Sequence, residues 1–106
     1  MSNTDIMNNN IIDLKVGIDF AEVANNDVLK DYATKRINKI MADADICQLL
    51  PLDIFIDSYV VDLVLFLKSS KILEDKESSD YFKGRLLDIV NQFPYLREKE
   101  DIKELL

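Results

Sequence analysis

The sequence predicts a mainly α-helical domain: a bundle of three main helices plus a short C-terminal helix, preceded by a single N-terminal β-strand. Three observations carry this expectation. Beyond residue 27, large apolar residues recur at steps of three and four, the spacing of helix faces that bury against one another. One earlier run, Ile12 to Phe20, instead alternates apolar and polar residues with a period of two. Finally, 106 residues that are 48% hydrophobic suffice for one core but hardly for two.

Residues 1–10 (MSNTDIMNNN) are polar and Asn-rich and read as a flexible arm, which leaves 11–106 as a single helical domain. In the strand, Ile12, Leu14, Val16, Ile18 and Phe20 share one face, and Asp13, Lys15, Gly17 and Asp19 the other. Asn26 or Asp27 then caps a helix to about Ala44, whose inner face includes Leu29, Ala33, Ile37 and Ile40. On its outside, Asp31 and Lys35 are spaced for an i,i+4 ion pair.

Pro51 suits the first turn of a second helix running to about Lys68, because a first-turn residue has no helical hydrogen bond to lose. That helix is apolar nearly all round, so it is expected at the centre of the bundle, with Val61 and Leu65 in the core. Its β-branched residues (Ile54, Ile56, Val60, Val61 and Val64) leave two short strands as the alternative. Ser78 or Ser79 caps a third helix with the stripe Phe82, Leu86, Ile89, Val90 and Phe93, in which Gly84 suits close helix packing. Pro94 stops it, and a short helix from Leu96 to Leu105 closes the chain.

Charge and cysteine usage narrow the function classes. Twenty acidic against 13 basic residues give a net charge of −7, dispersed along the chain, which disfavours nucleic acid or an anionic membrane as the main partner. The stretch Leu52 to Leu67 is broken by Asp53, Asp57 and Asp62, so it is not expected to span a membrane. The N-terminus lacks the basic and apolar regions of a signal peptide. Cys47 is the sole cysteine and sits among Ile46, Leu49 and Leu50, so a buried free thiol and a cytoplasmic location are expected.

The chain has no histidine, one cysteine, and only two glycines, neither in a phosphate-cradling loop. Histidine-based proton transfer, Cys–His nucleophiles, zinc sites built from Cys and His, and nucleotide loops are thereby excluded. No catalytic residue, metal ligand or cofactor is expected. Asp53 and Asp57 share a helical face, but the N-terminal end of a helix dipole accounts for them. Lys35, Arg36 and Lys39 form the only basic cluster. A strand followed by two helices resembles in outline a ribbon-helix-helix repressor, yet Asp13 and Asp19 on the strand's polar face would meet DNA unfavourably.

The function expected is that of a non-enzymatic protein-binding factor: a small acidic inhibitor, immunity protein or regulatory adaptor. The alternatives are a small dimeric DNA-associated regulator and a structural or assembly component of a larger particle. The expected contact residues are Leu14, Val16, Ile18 and Phe20, since a lone strand must pair with its own copy, a hidden strand or another protein's sheet edge. Tyr95, outside every apolar stripe, joins them. The partner expected is another protein, with a basic surface suiting the charge, or a second copy in a homodimer through the strand.

Overall fold

Two residues set the start of the first helix. In the computed structural model, which describes residues 1–106, the Ser2 hydroxyl accepts a hydrogen bond from the Asp5 amide at 3.2 Å, and the Ser2 amide donates to the Asp5 carboxylate at 3.1 Å. This reciprocal cap satisfies two amides at the end of α1 (Asn3–Val23). Residues 3–10, expected as an arm, are the first turns of that helix.

The expected strand does not exist: Ile12 to Phe20 lie inside α1, and no residue of the chain is in a strand. The period-two reading fails because it places every polar residue outside. The buried positions of α1 are Ile6, Asn10, Asp13, Leu14, Gly17, Phe20 and Ala21, a stripe at steps of three and four that includes an amide, a carboxylate and a glycine. Ile12, on the strand's supposed inner face, is 52% exposed. With the backbone of this segment bonded within a helix, no strand edge remains to pair with a second copy or another sheet.

The remaining helices follow the apolar periodicity. They are α2 (Asp27–Ala42), α3 (Leu52–Ile72), α4 (Lys76–Gln92) and α5 (Glu100–Leu105), with 3₁₀ segments at Ala44–Leu49 and Pro94–Glu98. The two-strand alternative for 52–67 is replaced by one continuous helix. The cap of α4 is Asp75 rather than a serine: its carboxylate accepts from the Ser78 amide at 3.1 Å and the Ser78 hydroxyl at 2.9 Å. Val61 is 59% exposed and Leu65 half-buried, so the wet side of α3 includes residues expected in the core. Gly84 is exposed, and a Cβ there would meet nothing within 4 Å, so it serves no close helix approach.

The chain divides into two compact units, Met1–Tyr59 and Val60–Leu106, with the division inside α3. In the first, α1 packs along α2, and both touch the 3₁₀ segment Ala44–Leu49. Its interior holds Ile6, Leu14, Phe20, Leu29, Ala33, Ile40, Ile56 and the free thiol of Cys47. In the second, Phe66 of α3 stacks on Phe82 of α4 with ring centroids 5.4 Å apart. The Ser79 hydroxyl donates to that of Ser70 at 3.0 Å, and Lys68 reaches Asp101 of α5 at 3.1 Å. No helix is long and apolar enough to cross a membrane.

One turn design recurs in the two units. Asn25 and Glu74 both have φ of 55°, in the left-handed region. After α1, the Asn26 amide donates to Ala21 and the Asn25 amide to Glu22; after α3, Asp75 donates to Ser70 and Glu74 to Lys71. These are the paired bonds of a Schellman helix end. Asn26 and Asp75 then cap the next helix with their side chains.

Glutamate thus occupies a position suited to glycine, and glycine a helical position suited to alanine. Glu74→Gly is expected to raise stability by about 0.5–1 kcal/mol, and Gly84→Ala by about 1 kcal/mol, both read from urea unfolding. A loss from either would show that its backbone or surroundings differ from those described.

The α1 cap also predicts a pH effect. The bond from the Ser2 amide holds the Asp5 carboxyl below its ordinary value of 3.8. A carboxyl with a depressed pKa stabilises the folded form above its unfolded value and ceases to do so as pH falls through the folded one. Amide exchange at the first turn of α1 should therefore accelerate as pH drops below about 3.8, after correction for intrinsic rates. Asp5→Asn should remove most of that pH dependence.

Candidate functional site

The first unit contains a cleft built from four pieces of chain. The first turns of α1 contribute Ile6, Met7 and Asn10, which the helical repeat brings to one face. From α2 and its C-terminal end come Arg36, Lys39, Ile40 and Asp43, again at steps of three and four. Leu50 follows the 3₁₀ segment, and Ile54, Phe55 and Ser58 lie on the first turns of α3.

The N-terminal asparagines, uninformative as sequence, have a structural task here. The Asn3 side-chain amide donates to the carbonyls of Cys47 at 2.7 Å and Leu50 at 2.8 Å. The Leu50 amide also donates to the Cys47 carbonyl, and Asn3 adds a second donor there from α1. Gln48 also donates to the Thr4 hydroxyl. Leu50 is thereby fixed against α1.

The cleft has a volume of about 250 Å³. That is below the roughly 300–1,000 Å³ of small-molecule sites, and suits one large side chain. Its wall is mixed, with Ile6, Met7, Ile40, Leu50, Ile54 and Phe55 beside five polar or charged residues. Lys39 pairs with Asp43 at 2.8 Å, so with Arg36 the lining holds two cations against one carboxylate. Asn10 is only 4% exposed, and its side-chain oxygen has no hydrogen-bond partner in the protein. A buried acceptor left unpaired costs about 1–3 kcal/mol. Asp13, one turn further on the same stripe, accepts from the buried Tyr59 hydroxyl and is satisfied.

Asp43 is the only carboxylate in the lining, and no group of three or more His, Cys, Asp or Glu residues forms a metal-ligating cluster. Asp53 and Asp57 are exposed on α3. Of the contact residues expected from sequence, Leu14 and Phe20 are buried in the first unit, and Val16 and Ile18 are half-buried. Tyr95 is exposed in the second unit, edge-on to Phe93 at 6.5 Å. None of the five lines the cleft. Arg36 and Lys39 were visible as a basic cluster; Asn10, Phe55 and Ser58 carried no signal of their own. No protein family, no curated protein and no solved structure matches this chain.

Two neighbouring polar residues of α1 should respond oppositely to removal of their hydrogen bonding. Tyr59→Phe takes a donor from a buried carboxylate and is expected to cost about 1–3 kcal/mol. Asn10→Leu removes an unpaired acceptor of similar size, and stability should stay level or rise by about 1 kcal/mol. Thermal melts of the two variants beside the parent decide it. A destabilisation by Asn10→Leu as large as that by Tyr59→Phe would assign Asn10 to holding the fold.

Proposed function

We propose that this chain is a non-enzymatic protein-binding factor, of the small inhibitor, immunity or regulatory-adaptor kind, whose contact surface is the cleft side of the first unit. The observation that carries the reading is an apolar rim beside that cleft. The 3₁₀ segment and the first turn of α3 leave Ile46, Leu49 and Ile54 exposed at 47%, 82% and 49%, and Leu50 and Ile54 themselves line the cleft. Scattered exposed apolar residues need no explanation, but three within nine residues around a side-chain-sized hollow match the anatomy of a protein interface. An acidic chain that lacks histidine fits that class better than an enzyme.

Leu49→Asp and Ile54→Asp change exposed side chains, so their melts should stay close to the parent's. Capture of the natural partner from host extract, identified by mass spectrometry, should fall by more than about tenfold in both, the effect of losing a central anchor. Tyr95→Ala should leave it intact. Capture that survives both aspartates but fails with Tyr95→Ala would move the contact surface to the second unit.

A further inference from the structure

We propose that α3 presents a self-complementary stripe on which a second copy of this chain docks, with the two α3 helices antiparallel. The inference goes beyond the protein-binding reading above, with which it shares only Ile54. On α3, Ile54, Val61 and Ile72 are exposed at 49%, 59% and 81%, and Leu65 is half-buried. All four lie on one continuous helix, so the helical repeat alone fixes their directions. Eighteen residues make about five whole turns, which sets Ile72 in line with Ile54. Val61 and Leu65 fall within about 20° of that line. Aligned exposed apolar residues differ from scattered ones, because a single partner helix can cover them together.

The stripe matches itself when reversed. Turned about position 63, Ile54 meets the second copy's Ile72, and Val61 meets the second copy's Leu65. A two-fold axis across the helix keeps each flank of one copy beside the same flank of the other. Asp53 and Lys71 share such a flank, by the same five-turn spacing, and both are exposed. In the antiparallel pair Asp53 comes within one turn of the second copy's Lys71, twice by symmetry. A parallel pair would instead set Asp53 against Asp53 and Lys71 against Lys71, so charge selects the antiparallel arrangement. Asp57 and Lys68, near the same flank, already have partners within the chain, whereas Asp53 and Lys71 carry no ion pair of their own.

The size of the stripe sets the strength of the contact. It is about 27 Å long at about 1.5 Å per residue, and at roughly one helix width two copies bury on the order of 500–600 Å² in total. Stable interfaces bury about 1,200–2,000 Å². Self-association is therefore weak and reversible, with a Kd on the order of 100 µM.

Sedimentation velocity on the full chain, from about 10 µM to about 1 mM, should show a reversible shift from monomer to dimer. Asp53→Lys or Lys71→Glu alone sets like charges together in both symmetric contacts, and should weaken the dimer at least about fivefold. Both exchanges in one chain should restore it to within about twofold of the parent. High salt should shrink these differences. Val61→Asp, at an exposed position, should abolish self-association while its melt stays close to the parent's. Leu49→Asp lies off the stripe and should leave self-association unchanged.

A parent still monomeric at about 1 mM, or a dimer that survives Val61→Asp, would overturn the proposal. Single charge exchanges without effect, or a double exchange that restores nothing, would overturn it as well. These exchanges alter only exposed residues near the helix ends, so they decide the matter even where Val61→Asp unfolds the chain. Self-association lost with Leu49→Asp but kept with Val61→Asp would move the contact between copies to the cleft side. The protein-binding reading would still stand after any of these failures if Leu49→Asp abolished capture of the partner.

Discussion

Placing Asp13 on the inner face of α1 imposes a condition that much of the first unit meets. An ionised carboxylate away from water is strongly disfavoured unless it is hydrogen-bonded, and the buried hydroxyl of Tyr59 provides that bond from α3. The bond fixes how α1 is rotated about its axis. A helix turns about 100° per residue, so a shift of one position would move Asp13 toward solvent and bring Ile12 inward. With Asp13 held inside, Ile6, Asn10, Gly17 and Phe20 follow onto the same stripe. Asn10 is therefore buried as a consequence of satisfying Asp13, yet the fold supplies no partner for its oxygen. One polar residue of the stripe is used up by folding, and the other keeps unspent hydrogen-bonding capacity.

The two left-handed turns set the remaining geometry with few residues. Asn26 and Asp75 each serve two helices: the backbone amide closes the helix before, and the side chain caps the helix after. A turn of this kind leaves little slack in the connection, so the phase of the second helix is tied to that of the first. Asparagine tolerates φ of 55° because its short side chain bonds locally. Glutamate has no such compensation at position 74, and the pair of bonds around it is what holds it there.

These features explain which parts of the fold were legible. The helices from α2 onward rest on apolar residues at helical spacing, and their ends lie within a few residues of the caps and prolines that mark them. Even so, the cap of α4 was misassigned, because Ser78 is a donor to Asp75 rather than the cap itself. The first helix was hidden because its inner face includes Asn10, Asp13 and Gly17, so a pattern built on hydropathy favours a strand. A local signal did exist in Ser2 and Asp5, three residues apart, which together make a capping box. Val61 shows the converse error: on a helix rich in apolar residues, hydropathy alone cannot say which side is wet.

The cleft was harder to foresee because no single segment contains it. Its cations come from α2, its unpaired acceptor from α1 and its aromatic wall from α3, brought together only by tertiary structure. A polar, Asn-rich part of the chain turns out to position it. An apolar N-terminus would bury more surface, but it could not donate to the carbonyls of Cys47 and Leu50. Asn3 meets both with one amide group, and the box of Ser2 and Asp5 keeps the turn that carries Asn3 helical. The Asn-rich segment that reads as an arm is therefore the clamp on the cleft's edge. A change at Ser2 or Asp5 would reach Leu50 through Asn3 without touching any residue of the lining.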